Sequence, residues 1–253
     1  MKLITLNAWG GKIYEPLISF LKEHSKDVDI FCFQDVLFGS KPEFTPIQKG
    51  RVNLFSEIEN ILSDFNSFIF RDKNESFIHG EMLPLEVGCG QAIFVRKNLK
   101  VLDNGAFRAL DRETDDDIAP GRCQWIKIKL HNEENLVVMN LHGMWQKGSQ
   151  KKDTPERIVQ SQKVKEFFSQ HNSKQIICGD FNMVKDGNAM SMLEEGMVNL
   201  VKEYGIQSTR SSHYPKEEKF ADYILVSKDI KVNDFKVLQN EVSDHLPLFV
   251  DFE

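Results

Sequence analysis

The sequence predicts an α/β sandwich, two sheets packed together with helices outside. Three observations lead there: short runs rich in Ile, Val and Phe along the whole chain, helical periodicities between the early runs, and later runs that follow one another more directly. With 253 residues and 41% apolar content, a single domain spanning 1–253 is long enough to bury a large core. Leu, Ile, Val and 19 Phe are spread throughout, which argues against disorder and low complexity.

Residues 2–6 form the first apolar run and lead into Asn7. Tyr14, Leu17, Ile18 and Leu21 then fall at helical spacing, so 14–24 is read as a helix. Run 29–34 is the second strand and ends at Asp35; Leu54, Ile58, Ile61 and Leu62 mark a second helix within 51–62. Runs 91–96, 124–130 and 135–141 read as buried strands, the last ending at His142. Thr154-Pro155-Glu156 supplies an N-cap followed by proline at the first helical position, for a helix reaching about Gln170. Runs 174–178, 220–226 and 246–252 complete the strands.

An internal echo suggests two related halves. ITLN-AWG at 4–10, a helix and VDIFCFQD at 28–35 parallel VMNLHGMW at 138–145, a helix and QIICGDFN at 175–182. In each half a polar residue ends the first strand (Asn7, His142) and a carboxylate ends the second (Asp35, Asp180). If both halves are βαβ units, all four side chains emerge at corresponding strand ends, where open α/β sheets place their sites.

A net charge of -6 and a pI near 5.7 disfavour a dedicated binder of duplex nucleic acid, which is held mainly by cationic side chains. A short or single-stranded substrate stays compatible with a local basic patch. No charged leader before an apolar core and no apolar stretch of ~18 residues stand in the sequence, so a soluble, cytoplasmic protein without stable membrane association is expected, monomeric by default. Cys32, Cys89, Cys123 and Cys178 stand singly, without C-x-x-C spacing, and read as buried free thiols of a reducing compartment.

Three motifs carry chemistry. In Gly179-Asp180-Phe181-Asn182 the glycine allows a sharp exit from a strand, and Asp180 and Asn182 are spaced to face the same side. Ser243-Asp244-His245 sets a carboxylate beside an imidazole, one suited to metal or water and the other to phosphate. In Asn140-Leu141-His142-Gly143 the glycine leaves backbone space beside the ring. Taken singly, a strand-ending Asp is more often a turn residue and a polar tripeptide more often a loop. Together they form a convergent polar set at strand ends.

The ordered motifs LNAWG, DIFCFQD, NLHG, GDFN, ADYILVS and SDHLP, spanning residues 3 to 252, resemble the endonuclease/exonuclease/phosphatase superfamily, which includes deoxyribonuclease I and exonuclease III. The resemblance implies a four-layer sandwich of two mixed β-sheets flanked by helices. It also implies phosphoester hydrolysis assisted by Mg2+ or Mn2+. Carried over motif by motif, Asn7, Asp35 and Asp244 would hold the metal, Asp180 would orient and deprotonate the attacking water, and Asn182 would hold that water or a phosphate oxygen. His245 would stabilise the phosphoryl oxygens, Asp222 would orient its ring, and His142 would be a second phosphate contact or general acid. The family usually places glutamate after the glutamine of its second motif, whereas this chain reads Phe33-Gln34-Asp35, one methylene shorter, which would favour a tolerant ion such as manganese.

The motif set points to the reaction better than to the substrate. Lys219-Phe220-Ala221-Asp222 lacks the signature of the inositol phosphatase branch, and a histidine stands at 142 where abasic-site endonucleases typically carry tyrosine. Arg210 and Tyr214, in the polar segment 208–216, read as phosphate and base contacts or as part of a solvated loop, Trp145 as a stacking surface or as packing, and Arg122 as a further phosphate contact. The acidic run Asp111 to Asp117 lacks the glycine and glutamate of a calcium loop and reads as a solvated segment. Gly88-Cys89-Gly90-Gln91 reads as tight backbone and not as a phosphate cradle. The favoured expectation is a metal-dependent phosphodiesterase or nuclease for a small or single-stranded phosphoester. A phosphomonoesterase or phospholipid-type hydrolase on the same fold, or a non-catalytic binding module, are the competing readings.

Overall fold

The computed structural model describes residues 1–45, 49–71, 77–78, 81–82, 87–111, 117–130 and 132–253. Along the chain run β1 (Lys2–Asn7), α1 (Tyr14–His24), β2 (Ile30–Phe38), α2 (Leu54–Ile61), β3 (Phe65–Arg71), β4 (Phe77–Ile78), β5 (Glu81–Met82), β6 (Gly88–Arg96) and β7 (Lys100–Arg108). They are followed by β8 (Ile118–Ala119), β9 (Arg122–Lys129), β10 (Asn135–His142), β11 (Trp145–Gln146), α3 (Pro155–Ser169) and β12 (Lys174–Asp180). The chain closes with α4 (Asn188–Glu194), β13 (Met197–Asn199), α5 (Leu200–Glu203), β14 (Asp222–Ser227), β15 (Val232–Val237) and β16 (Leu248–Phe252).

Two six-stranded sheets result, β15-β16-β1-β2-β6-β3 and β13-β14-β12-β10-β9-β7. Both are mixed: β1 and β2 run parallel in the first and β10 and β12 in the second, while the remaining neighbours are antiparallel. A parallel pair needs a crossover, and α1 and α3 supply the two crossovers. The expected sandwich of two mixed sheets flanked by helices is therefore the fold.

Strand parity sets what faces what. Leu3, Ile30, Cys32, Ile93 and Val95 pack against residues of the second sheet. Ile4, Leu6, Phe31, Phe33 and Phe94 face the other way, against Leu17, Phe20 and Leu21 of α1 and Leu54 and Ile58 of α2. Val164 and Phe168 of α3 and Ala189, Met190 and Leu193 of α4 cover the far side of the second sheet. Each large side chain fully buried this way stabilises the fold by roughly 1.5–3 kcal/mol. Helices α1 and α3 start as their sequences dictate. Pro16 lies in the first turn of α1, where its missing N–H costs nothing, and Thr154 caps α3 by accepting from Arg157 N at 3.3 Å ahead of Pro155.

All eight apolar runs are strands, two helices stand where periodicity put them, with α2 starting at Leu54, and α3 stands where the Thr154-Pro155 cap put it. β3, β7, β13 and β15 were not anticipated, and all four are edge strands of the two sheets. Their half-exposed patterns give no long apolar run to read, although β3 carries Phe68-Ile69-Phe70. Gly88 to Gln91 lies within β6, and the four cysteines are free and buried. Of the acidic run, residues 112–116 lie outside the described residues; Asp111 meets Lys163 at 3.0 Å and Asp117 meets Lys147 at 3.4 Å. Among the described residues no helix is long and apolar enough to cross a membrane.

Candidate active site

The register of the second sheet aligns one row of side chains across five strands. Arg108 stands opposite Arg122, Arg122 opposite His142, His142 opposite Asp180, and Asp180 opposite Asp222. Cross-strand partners project from the same face. Asn7 ends β1 in the facing sheet, and its amide reaches Asp180 directly. The row thus meets the first sheet at the strand ends, above a buried amide network. In that network Gln34 donates to Thr5 Oγ1 (3.0 Å) and Asn140 Oδ1 (2.6 Å), and Gln91 donates to the Asn140 carbonyl (2.8 Å).

One wall is the imidazole wall. His245 Nδ1 lies 2.8 Å from both carboxylate oxygens of Asp222, and Thr209 Oγ1 donates to Asp222 Oδ2 at 3.1 Å. This geometry makes Nδ1 the N–H donor and aims Nε2 at Asp180 Oδ2, 3.6 Å away. Residues 209–211 run antiparallel to 244–246, with Leu246 N donating to Thr209 O and Ser211 N to Asp244 O. That pairing sets Arg210 against His245 Nε2, with Asp244 Oδ2 at 3.3 Å. Burial and Arg210 push the His245 pKa down, but Asp222, Asp244 and Asp180 outweigh them and raise it above the ordinary imidazole value. Two demands on this ring conflict: accepting from Arg210 requires neutral Nε2, while three carboxylates favour the imidazolium. A phosphoryl oxygen entering between Nε2 and the guanidinium would accept from both.

The opposite wall is built on a β-bulge. The β2–β6 register shifts between Phe33 and Val36, and Asp35 takes a left-handed conformation at φ 50°. Aspartate tolerates that region better than most residues. β2 therefore runs on to Phe38 instead of ending at Asp35, and the bulge turns the carboxylate toward Asn7 and His142 while Gln34 points between the sheets. Asn7 Nδ2 sits 3.1 Å from Asp35 Oδ2 and 3.2 Å from Asp180 Oδ2; Cys89 Sγ donates to Asp35 Oδ1 at 3.7 Å, and His142 Nδ1 is 3.6 Å from that same oxygen.

These donors fit a hard divalent cation. Asn7 Nδ2 stands between two carboxylates while its Oδ1 accepts from Trp9 N at 2.9 Å; exchanging the Trp9 bond and turning the amide over would present Oδ1 alongside the carboxylates, an all-oxygen set suited to magnesium or manganese with a partial water shell. Asp180, Asp222 and His245 also bring ligand atoms within 4.8 Å of one another. An ion bound there by His245 would displace either the Nδ1–H that Asp222 accepts or the Arg210 guanidinium that sits against Nε2, so the Asn7–Asp35 side is the better cation position. Asp244, expected beside the metal, is salt-bridged to Arg210 on the imidazole wall.

Asp180 joins the walls. Burial alone would raise its pKa, but His245, His142, Arg210 and Lys151 hold the carboxyl at about 2, ionised at neutral pH. The turn after it is closed by Asn182 N to Asp180 Oδ1 (3.0 Å) and Asn182 Nδ2 to Gly143 O (3.1 Å). Gly179, at φ 132°, makes the strand exit expected of it, whereas Gly143 does not leave open space beside His142. A Cβ on Gly143 would stand 1.9 Å from Phe181 O, and one on Gly179 2.2 Å from Leu141 O. The space beside His142 is therefore filled by the Gly179–Asn182 backbone, and both glycines serve close chain approach. Buried polar residues of α3 brace this corner: Gln160 accepts from Met144 N at 2.7 Å, and Arg157 donates to Asn182 O at 3.0 Å and Ser149 Oγ at 2.9 Å.

All eight core residues anticipated from the sequence meet in these two walls. Of the outer four, Arg122 reaches His142 Nδ1 at 3.5 Å, Arg210 is inside the site, and Tyr214 stacks on Arg210 with 4.0 Å from guanidinium to ring. Trp145, on the short β8–β11 ribbon, is 44% exposed, which leaves its ring accessible. Sequence reasoning missed Lys151 and Thr209. Lys151 Nζ lies 5.3 Å from the Tyr214 ring, and burial and Arg210 push its ammonium down to about 8 against Asp180, Asp222 and Glu218. No periodicity or motif distinguishes Lys151 from its neighbour Lys152, whereas Thr209 had a signal in preceding Arg210.

The model of the endonuclease/exonuclease/phosphatase family matches residues 4–245. No curated protein matches the sequence. Among solved structures, a family protein from Leptotrichia buccalis superposes with a TM-score of 0.73 at 19% identity, covering 100% of this chain and 99% of that one. A mannosyl-6-phosphatase from Bacteroides thetaiotaomicron gives 0.70 at 18% identity, covering 100% and 99%. The human Nocturnin catalytic domain, which carries a bound sulfate anion, gives 0.66 at 17% identity, covering 100% and 93%. At these identities the likeness is one of fold.

Proposed function

Because the chain belongs to the endonuclease/exonuclease/phosphatase family, we propose that it is a single-domain, divalent-metal-dependent phosphodiesterase that cleaves P–O bonds by in-line attack of water. The substrate would be a small phosphodiester, a nucleotide or a short single-stranded nucleic acid. The observation that carries this reading is Asp180, ionised and buried where Asn7, His142 and His245 converge. In-line attack on phosphorus needs an aligned nucleophile and neutralisation of charge more than a covalent intermediate. Contacts lie on both sides of Asp180, Arg122 and His142 on one and Arg210 and Tyr214 on the other, which suits a phosphate bearing two substituents.

In this reading Asp180 orients the attacking water and accepts its proton. Asn182 fixes the turn that holds Asp180, and its side chain assists in placing the water or a phosphate oxygen. His245, oriented by Asp222, donates from Nε2 to a phosphoryl oxygen, and His142 serves as a second contact or leaving-group acid. Asn7 and Asp35 would hold Mg2+ or Mn2+, while Asp244 holds Arg210 beside His245 on the other wall; the ion would supply polarisation of the phosphoryl oxygen and a lowered pKa of coordinated water. Four buried free thiols support a cytoplasmic setting. The test is hydrolysis of bis(p-nitrophenyl) phosphate against p-nitrophenyl phosphate with magnesium, manganese or chelator. Metal-dependent, preferential diester turnover is expected; exclusive monoester turnover, or none with either ion, would overturn the proposal.

A further inference from the structure

Lys151 has no part in the scheme above, yet the fold goes to some length to place it. Gln150 and Lys151 are successive non-glycine residues in the left-handed region, at φ 51° and 60°. Backbone held this way is strained and persists only where surrounding contacts over-determine it. Those contacts are present. Buried Arg157 donates to Lys152 O and Ser149 Oγ on either side, and Val184 N donates to Lys151 O at 3.0 Å. The ammonium, with three N–H groups, makes one hydrogen bond among the described residues, to Phe220 O at 3.2 Å.

Lys151 is also held beside a like charge. Arg210 and Lys151 both lie over the Tyr214 ring, at 4.0 and 5.3 Å, close enough that each guanidinium and ammonium disfavours the other. The Arg210 side chain is 7% exposed, and its Nε is buried with no hydrogen-bond partner among the described residues. Nearby carboxylates compensate only in part: Asp180 and Glu218 also favour the Lys151 charge, but Asp180 is shared with His142 and His245, Asp222 is committed to His245 and Thr209, and Asp244 faces His245 as well as Arg210. Two cations pressed together on one aromatic ring, one with an unsatisfied buried donor and one with donors to spare, are what an anion with several acceptor oxygens would complete.

We infer that Lys151, Arg210 and Tyr214 form a subsite for a second phosphoryl group of the substrate, adjacent to the scissile one. The substrate class is then a phosphodiester with a neighbouring phosphate, such as a 5′-phosphorylated single strand. This inference rests on the proposed function for the identity of the reaction, but the subsite binds anions whether or not turnover occurs.

Calorimetry separates the two. Thymidine 3′,5′-bisphosphate is titrated into the full chain in manganese, beside thymidine 5′-monophosphate and thymidine 3′-monophosphate. The bisphosphate should bind ~30-fold tighter than either monophosphate, the advantage should shrink to about threefold in Lys151→Met, and Lys151→Arg should keep most of it. Equal affinities for the three ligands in the unsubstituted protein would overturn the subsite without recourse to any variant. So would an advantage unchanged by Lys151→Met in protein whose melting temperature is normal. If the bisphosphate preference holds while neither thymidylyl thymidine nor its 5′-phosphorylated form is cleaved with magnesium or manganese, the subsite stands and the proposed reaction fails. If both are cleaved with equal kcat/KM, the reaction stands and the subsite fails.

Discussion

The units β1–α1–β2 and β10–α3–β12 share an element order and a parallel pairing, but their strands end differently. In the second unit the ladder stays in step to its last residue, so His142 stands opposite Asp180. In the first, Gln34 stands opposite Asn7, and the carboxylate one residue on is delivered by a bulge with a left-handed backbone. Register is a property of the whole sheet, whereas a bulge is a local distortion. The row His142, Asp180 and Asp222 is therefore a register-built wall, tied to the pairing of the whole second sheet. The bulge-built wall tolerates adjustment, which suits a cation ligand that differs from the usual one by a methylene.

If this contrast is right, substitutions on the register-built wall should cost most. Asp180→Asn should lower kcat by ~10³ or more with the melting temperature largely preserved, as expected when a positioned base is removed from a site otherwise intact. Stopped assays against any accepted diester measure this, and a loss under tenfold would break the comparison. Asp222→Asn should follow with about a 10²-fold fall in kcat and a smaller change in KM, because His245 loses the partner that fixes its tautomer.

On the bulge-built wall the effects should be smaller and recoverable. Asp35→Ala should weaken manganese affinity by about tenfold while saturating metal restores most of the rate, since Asn7 and the base Asp180 remain in place. Asp35→Glu should shift the magnesium-to-manganese preference with less than about tenfold change in rate. Metal titrations of activity check both, and an unchanged metal preference in Asp35→Glu would remove the link between the bulge and ion choice.

The smallest effect is a pH dependence. Lys151 has its pKa lowered to about 8 from an ordinary 10.5, so the unfolded chain binds more protons at this position between those values, and its burial destabilises the fold least at high pH. For binding the sign is opposite: the charge that holds an anion is present below about 8 and is lost as pH rises through it. KM for a 5′-phosphorylated dinucleotide should therefore climb a few-fold between pH 7 and 9.5 in the unsubstituted protein. The climb should flatten in Lys151→Arg, whose guanidinium stays charged.

How much of this was legible beforehand depended on where each residue sits. Central strands such as β2, β6 and β10 are buried on both faces and announce themselves as apolar runs, while the edge strands β3, β7, β13 and β15 do not. Asn7, His142 and Asp180 end strands, Asn182 follows one, Asp222 begins one, Asp244 and His245 precede one, and Asp35 lies inside one, all within recognisable motifs, so the resemblance found them together. The bulge at Asp35 left no trace in composition, because Phe33-Gln34-Asp35-Val36 reads equally well as a strand end. Lys151 was invisible for a related reason: its position comes from the left-handed backbone that Arg157 clamps, and neither feature has a local sequence signal.

Direct attack of water on phosphorus, organised by Asp180 without a covalent protein intermediate, is tested most directly by stereochemistry. Hydrolysis of a chiral phosphorothioate diester in isotopically labelled water should proceed with inversion at phosphorus. Net retention would show a covalent intermediate and contradict the account.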